Sequence, residues 1–554
     1  MKGIGVSPGI AIGRAWMLRS KKERVSGVLL AETATEREIE VYRGAVGQAA
    51  SSLEGMMEQA GAAAEILGIQ LELLYDPMWE SEVIDRINRR STARDAVLGA
   101  TERVMNLFLE MEDAYMRERA ADIRDMGNRL VRILDGDRLG AEPVIHAEAG
   151  PGEPHWIVVA EELTPSDTIG LDARVVGFVT QAGGATSHAA IVARLRGLPA
   201  VVGVSQLLGS VTDGDWLVLD GETGVLLVNP SLTELEVYRS KQQVFAERRR
   251  LLAGLKDREA VTTDGVRIGL LANIGSKADM EAALAQGAEG VGLLRTELLF
   301  MDREALPTEE EQVEFYKSVL LRAGGLPVTI RTLDIGGDKP LPYLGLAPEA
   351  NPFLGYRAIR ICLDRPALFL SQLRAILRAS VFGKCRILFP MIGSVEELIR
   401  AKAFVAVAQE ELRAQGVAFD AGVPLGVMIE IPSAALTADL LAKEADFFSI
   451  GTNDLTQYVL AVDRMNEQIA ALYDPYHPAV LRLIREVIEQ GHRGGIPVGM
   501  CGELAGDPRA TELLLGMGLR EFSMNAGAIP LVKEVILRSA ASRDSEGFSG
   551  NKTV

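Results

Sequence analysis

Cysteine is scarce in this chain. Its 554 residues include three, Cys362, Cys385 and Cys501, with neither metal-ligand spacing nor an even disulfide framework. That usage points to a reducing cytoplasmic compartment. Histidine is scarce too, with five residues, so histidine chemistry has few candidates. Positive charge is in deficit: 58 Lys and Arg against 76 Asp and Glu give a formal net charge of −18. A phosphate backbone needs basic patches, so the balance argues against a nucleic-acid partner. No apolar run reaches the ~18 residues of a membrane span, and Met1–Gly9 lacks a signal-peptide core. There is no GxxxxGK[ST] phosphate loop, no Ser-His-Asp arrangement and no Cys/His metal cluster.

What is present is ordinary globular composition, 48% hydrophobic and 24% charged. The length allows about three to four domains at ~150 residues each. Short glycine-broken strands open the chain (GIGVSPGIAIGRAWML). From about Ala31 to Asp137 the spacing is helical, as in Ile84-Ile87 and Val104-Leu107-Phe108-Met111. Ala141–Gly152 reads as a loop. Strand patterns resume at Trp156–Ala160 and run to Val228, so the helical block looks inserted into an α/β unit. Residues 231–257 form a charged helical pattern, read as a solvated linker. Eight buried-type strands follow: Arg267–Asn273, Gly290–Arg295, Val328–Asp334, Arg386–Pro390, Leu425–Glu430, Phe447–Asn453, Val498–Glu503 and Glu521–Asn525. Eight strand–helix units over some 280 residues predict a (β/α)8 TIM barrel.

Two places collect chemistry. The first is Gly183-Gly184-Ala185-Thr186-Ser187-His188, leading into a short helix that stops at Gly197-Leu198-Pro199. His188 then sits at a helix N-terminus, whose free N–H groups and partial positive charge favour phosphate and a neutral, nucleophilic imidazole. Taken alone, a packing or capping histidine fits as well. The second place is the carboxyl ends of the barrel strands, where such folds keep their active sites. Arg295, Arg331, Glu430, Asn453, Asp454 and Cys501 fall there, with Arg357, Arg360, Arg464 and the stretch Gly336-Gly337-Asp338-Lys339 nearby. Forked arginines match phosphate and carboxylate oxygens. Glu430 and Asp454 form the sparse oxygen site that Mg2+ prefers. Cys501 reads either as a small buried hydrophobe or as an acid that gives a proton to an enolate.

The motifs LTPSDT (163–168), GGATSHAAIVAR (183–194), LLRTELLFMDR (293–303), RTLDIGGDKP (331–340), NPFLGYRAIR (351–360), GTNDLTQYVLAVDR (451–464) and CGELAGDP (501–508) occur in one order over nearly the whole chain. In these the chain resembles the enzyme I family of the phosphoenolpyruvate-dependent sugar phosphotransferase system. The resemblance implies a multidomain α/β protein. A swivelling phosphohistidine domain would comprise 1–20 and 144–228. A helical domain at 21–143 would dock the phosphocarrier HPr. A linker helix would span 229–257, a phosphoenolpyruvate-binding TIM barrel 258–541, and a disordered tail 542–554. It implies phosphorylation of His188 through Nε2, with Thr168 holding the other ring nitrogen. Arg295, Arg331, Arg357, Arg464 and Asn453 would bind phosphoenolpyruvate, with Lys339 a further candidate. Glu430 and Asp454 would hold Mg2+, Cys501 would protonate the enolate to pyruvate, and the barrel would form a homodimer. Neither a fused sensor nor a fused carrier is expected.

Two stretches depart from the family pattern. Ala185 stands where the family usually has Arg, and Leu67–Pro77 lacks the usual acidic stretch with a histidine, which bears on the choice of carrier. A phosphoenolpyruvate synthase or pyruvate phosphate dikinase would share the histidine-and-barrel logic but needs an ATP-binding domain for which no region is spare. A regulatory phosphoprotein that senses phosphoenolpyruvate is the non-enzymatic alternative.

Overall fold

The computed structural model describes residues 1–18, 34–57, 68, 71–109, 114–135, 155–163, 174–184, 187–301, 303, 305–337, 341–347, 349–466 and 468–541. Thr168, Lys339, Ala185, Thr186, the loop 141–152 and the tail 542–554 lie outside them. The chain divides into two compact units, Met1–Arg248 and Arg249–Val554.

The first unit begins with β1 (Ile4–Ser7) and β2 (Ile10–Met17). Helices α1 (Thr35–Met57), α2 (Pro77–Asn88), α3 (Ala93–Leu109) and α4 (Ala114–Leu134) follow. Helix α2 shows why this block is helical. Pro77 occupies the first turn, and Asp76 accepts from the N–H groups of Met78 at 2.8 Å and Trp79 at 3.0 Å. Its buried face is Trp79, Val83 and Ile87, at four-residue spacing. On α3 burial is unbroken from Asp95 to Thr101 and reaches Val104, while Leu107, read from the sequence as part of the apolar face, is exposed. These helices share one core with Tyr42, Leu53 and Leu130.

The chain then returns to β3 (Trp156–Ala160), β4 (Val175–Thr180), α5 (His188–Arg196), β5 (Ala200–Val202), β6 (Trp216–Asp220) and β7 (Val225–Val228). Among the described residues seven strands form one sheet in the order β1-β5-β4-β3-β2-β6-β7. Strands β2, β3, β4 and β5 run parallel, and β1, β6 and β7 pair antiparallel at the flanks. Helix α6 (Leu232–Ala253) carries no buried residue.

The second unit is a closed barrel of eight parallel strands: β8 (Gly269–Ile274), β9 (Val291–Leu294), β10 (Val328–Arg331), β11 (Cys385–Phe389), β12 (Leu425–Ile429), β13 (Phe447–Ile450), β14 (Val498–Met500) and β15 (Glu521–Met524). Strands buried on both faces read as continuous apolar runs, which is why all eight were visible in the sequence. Most are shorter than predicted at their carboxyl ends. The expected strand Phe447–Asn453 stops at Ile450, and Asn453 and Asp454 lie in the helix Thr452–Leu460. The expected strand Val498–Glu503 stops at Met500, and Glu503 begins a short 3-10 turn. The last helix, Ile529–Arg538, buries Lys533, whose Nζ donates to the carbonyls of Leu255 (3.3 Å), Lys256 (3.0 Å) and Arg258 (2.9 Å). That amine ties the carboxyl-terminal helix to the segment that enters the barrel.

Candidate active site

At the predicted helix start, Ser187 is extended (φ −61°, ψ 155°) and His188 is the first residue of α5. Gly197, left-handed at φ 63°, ends the helix, and Pro199 follows. The turn before it is tight. Gly183 has φ +103°, and a Cβ there would lie 3.1 Å from Ser187 Oγ. That hydroxyl is buried and has no hydrogen-bond partner among the described residues. The side chain of His188 lies outside the described residues.

In the barrel, side chains from most of the strand ends line one cavity of about 700 Å³. Arg295, Arg331, Arg357, Asn453, Arg464, Glu430, Asp454 and Cys501 all border it. Arg295, Glu430 and Cys501 each follow the last residue of their strand, and Arg331 is the last residue of its own.

Two of the arginines are buried and anchored by acids. Arg331 donates to Glu297 and is ion-paired with Asp334, its Nη1 lying 3.0 Å from Oδ2; that Nη1 also lies 3.7 Å from Met428 Sδ. Arg357 donates to Asp334 Oδ1 at 3.0 Å, Asp454 Oδ2 at 3.3 Å and Tyr458 Oη at 3.1 Å, and its guanidinium lies 5.6 Å from the Phe353 ring centre. Burial alone would lower the pKa of each guanidinium, but the facing carboxylates, led by Glu297 for Arg331 and Asp334 for Arg357, raise it and keep both charged. Arg464 is more open and sits 3.6 Å from Asp454 Oδ1. Asn453 is pinned from both sides: its amide donates to Glu503 Oε1 at 3.1 Å and its oxygen accepts the Glu503 N–H at 2.9 Å.

Glu430 is buried and accepts the Met391 N–H at 2.7 Å. Met391 is left-handed, φ 55°, a rare conformation for a long side chain that aims its N–H at this carboxylate. Burial, then the charges of Asp454 and Asp334, push the Glu430 carboxyl up to about 8, against the pull of Arg331. Among the described residues no group of three or more His, Cys, Asp and Glu converges as a metal cage. Two acids suffice for Mg2+, which takes most of its oxygens from water and substrate. The crowding of negative charge on Glu430 is what a bound cation would relieve, so the pair fits.

Cys501 lies in a small buried cluster with Leu293, Leu388, Met428 and Phe447. Burial pushes its thiol up to about 11, opposed by a hydrogen bond to Ser449 and by Arg331. Its carbonyl accepts from Asn273 Nδ2 at 2.8 Å, and Asn273 in turn accepts from Ser523 at 2.7 Å. His477, by contrast, caps its own helix through Nδ1, 3.2 Å from the Ala479 N–H, and takes no part in the cavity.

Sequence reasoning assigned no role to Glu297, Asp334, Glu503 or Tyr458. Tyr458 carried a usable signal: four residues after Asp454 on one helix, it shares that face. The Gly336-Gly337 pair also gains a reason. Gly336 has φ +97°, and a Cβ there would lie 2.6 Å from the Arg357 Cβ, so glycine lets the arginine stem pass.

Arginines, two buried acids and a buried thiol lining one cavity of a parallel barrel mark an enzyme of the class that handles small phosphorylated carboxylic acids. Comparison with known families agrees. Residues 249–541 match the PEP-binding domain of PEP-utilising enzymes, 2–119 their N-terminal domain, and 152–224 their mobile domain. The phosphoenolpyruvate-protein phosphotransferase of Staphylococcus carnosus is 45% identical over 97% of this chain and 93% of its own length. That of Haemophilus influenzae is 46% identical over 97% and 93%. A solution NMR structure of Enzyme I is 34% identical, covering 44% of this chain and 99% of that one, with a TM-score of 0.36. The chain belongs to the phosphoenolpyruvate-protein phosphotransferase family. Among the described residues no helix is long and apolar enough to cross a membrane.

Proposed function

We propose that the chain takes the phosphoryl group of phosphoenolpyruvate onto His188 Nε2, releases pyruvate, and passes the group to a histidine of a small HPr-like carrier. The observation that carries this reading is the single cavity bordered by Arg295, Arg331, Arg357, Arg464, Asn453, Glu430, Asp454 and Cys501. The arginines and Asn453 bind and orient the phosphate and carboxylate in line with the attacking nitrogen. The P–O bond to the enol oxygen breaks and a P–N bond to His188 forms. The Cys501 thiol then gives its proton to C3 of the enolate. Thr168 holds the second ring nitrogen of His188, and Lys339 adds a cation to the site. Mg2+, held by Glu430 and Asp454, would supply neutralisation of oxygen charge during transfer.

The helical segment 21–143 docks the carrier, 1–20 with 144–228 carries the histidine, and 229–257 links it to the barrel at 258–541. Exposed Leu436, Leu440, Met465 and Leu472 on the barrel unit give apolar surface for a homodimer. Three free thiols favour a cytoplasmic setting.

The test is labelling with [32P]phosphoenolpyruvate and Mg2+ without nucleotide. Label is expected on the protein, absent from His188→Ala, and chased onto a small histidine carrier. Labelling that needs nucleotide, or that persists in His188→Ala, refutes the assignment.

A further inference from the structure

We propose that Asp334 is a positioning residue: it braces the guanidinium groups of Arg331 and Arg357 at one separation and orientation, and so pre-shapes the anion-binding wall of the barrel cavity. The inference rests on the reading of that cavity as the phosphoenolpyruvate site.

An isolated Arg–Asp pair usually forms a fork, with both carboxylate oxygens on one guanidinium. Asp334 does not. Its Oδ2 is ion-paired with Arg331 Nη1 at 3.0 Å, and its Oδ1 accepts from Arg357 at 3.0 Å. The carboxylate is split between two cations, with a side chain that is 3% exposed. A split carboxylate offsets charge on both arginines at once. It sets the distance between them, against the repulsion two buried guanidinium groups would otherwise feel. Each arginine also has an anchor of its own. Arg331 is held by Glu297. Arg357 is held by Asp454 and by the Tyr458 hydroxyl, which accepts from the guanidinium and donates to the Phe353 carbonyl. The Nε–H of each arginine has no acceptor among the described residues, so both keep a donor in reserve. Long arginines normally lose rotamer freedom when they close on a ligand. Here that ordering is already complete.

The brace can be told from plain electrostatics by the sign of one change. Asp334→Asn removes a negative charge from an anion site. Charge alone then predicts tighter binding of phosphoenolpyruvate. The brace predicts weaker binding, because the amide nitrogen faces an N–H donor and one arginine is released. Tyr458→Phe makes the smaller, charge-neutral change, removing one acceptor from Arg357.

The experiment uses the full chain with His188→Ala, so that bound phosphoenolpyruvate is not consumed, and measures its Kd by calorimetry with Mg2+ present, well below the melting temperature of each variant. Asp334→Asn is expected to raise Kd about tenfold or more and Tyr458→Phe about threefold. An unchanged or lower Kd in a folded Asp334→Asn protein overturns the proposal. Should that variant fail to fold, Tyr458→Phe decides, and an unchanged Kd there overturns it. Absence of binding in the His188→Ala parent overturns instead the assignment of the cavity to phosphoenolpyruvate.

Discussion

The Cys501 thiol offers the sharpest quantitative test of the site. Burial raises it to about 11, while Ser449 and Arg331 pull the other way. The sign follows directly. A raised thiol is the protonated, acid form at every pH where the enzyme would work, and a general acid must hold its proton until the enolate takes it. The folded protein also binds this proton more tightly than the unfolded chain, so this contribution to stability is lost as pH rises from about 8.5 towards 11. At pH 8 a free thiol of pKa ~8.5 is about one-quarter thiolate, and one of pKa ~11 is about one part in a thousand. Iodoacetamide should therefore modify Cys501 at least ~200-fold more slowly than a free thiol, since burial also limits access. The rate should climb about tenfold per pH unit up to pH 10. Cys385, raised to about 12 by burial, should react later still, and Cys362, raised further, last. Peptide mass spectrometry across pH 7–10 reads all three sites. A Cys501 rate that levels off below pH 9, or lies within tenfold of a free thiol at pH 8, would refute the reasoning. In parallel, Cys501→Ala should slow pyruvate formation by roughly 10²–10⁴-fold in single turnover, the range for a lost general acid.

Three other substitutions test the frame. Lys533→Met leaves three carbonyls without their shared donor and should cost about 2–4 kcal/mol, read as a lower denaturation midpoint of the barrel unit. Gly336→Ala places a Cβ 2.6 Å from that of Arg357 at φ +97°, so a loss of about 1–3 kcal/mol and weaker phosphoenolpyruvate binding are expected from melting and calorimetry. Asp507 caps the helix Pro508–Gly516, and its carboxyl is lowered to about 2, chiefly by Arg509. Asp507→Ala should cost about 1 kcal/mol near neutrality. A depressed carboxyl stabilises above its unfolded pKa and loses that effect as pH falls through its folded one, so the gap between the two proteins should close as pH drops from about 4 to about 2.

The eight barrel strands were legible because each is an apolar run between turn residues, and the charged residues just beyond them marked the mouth. Strand ends were less legible. Gly451 and Gly502 look the same in a strand as in the turn that ends it, so the sequence pattern places Asn453 in a strand where the structure has it helical. The arginines and acids that border the cavity are legible by residue type and by their place after the strands. Their supports were not. Nothing in the local sequence says that Met391 turns left-handed to feed Glu430, or that Asp334 divides itself between arginines 26 residues apart in the chain (331 to 357). Those relations exist only once distant segments pack.

Arg295, Glu430 and Cys501 each stand one residue beyond a strand, at the rim of the barrel. Their side chains can be exchanged without moving any strand register. The wall of the barrel and its chemistry are therefore separable inheritances. A lineage, or a designer, could rewrite the rim for another small acid and keep the frame intact, provided the braces behind the rim were rewritten with it.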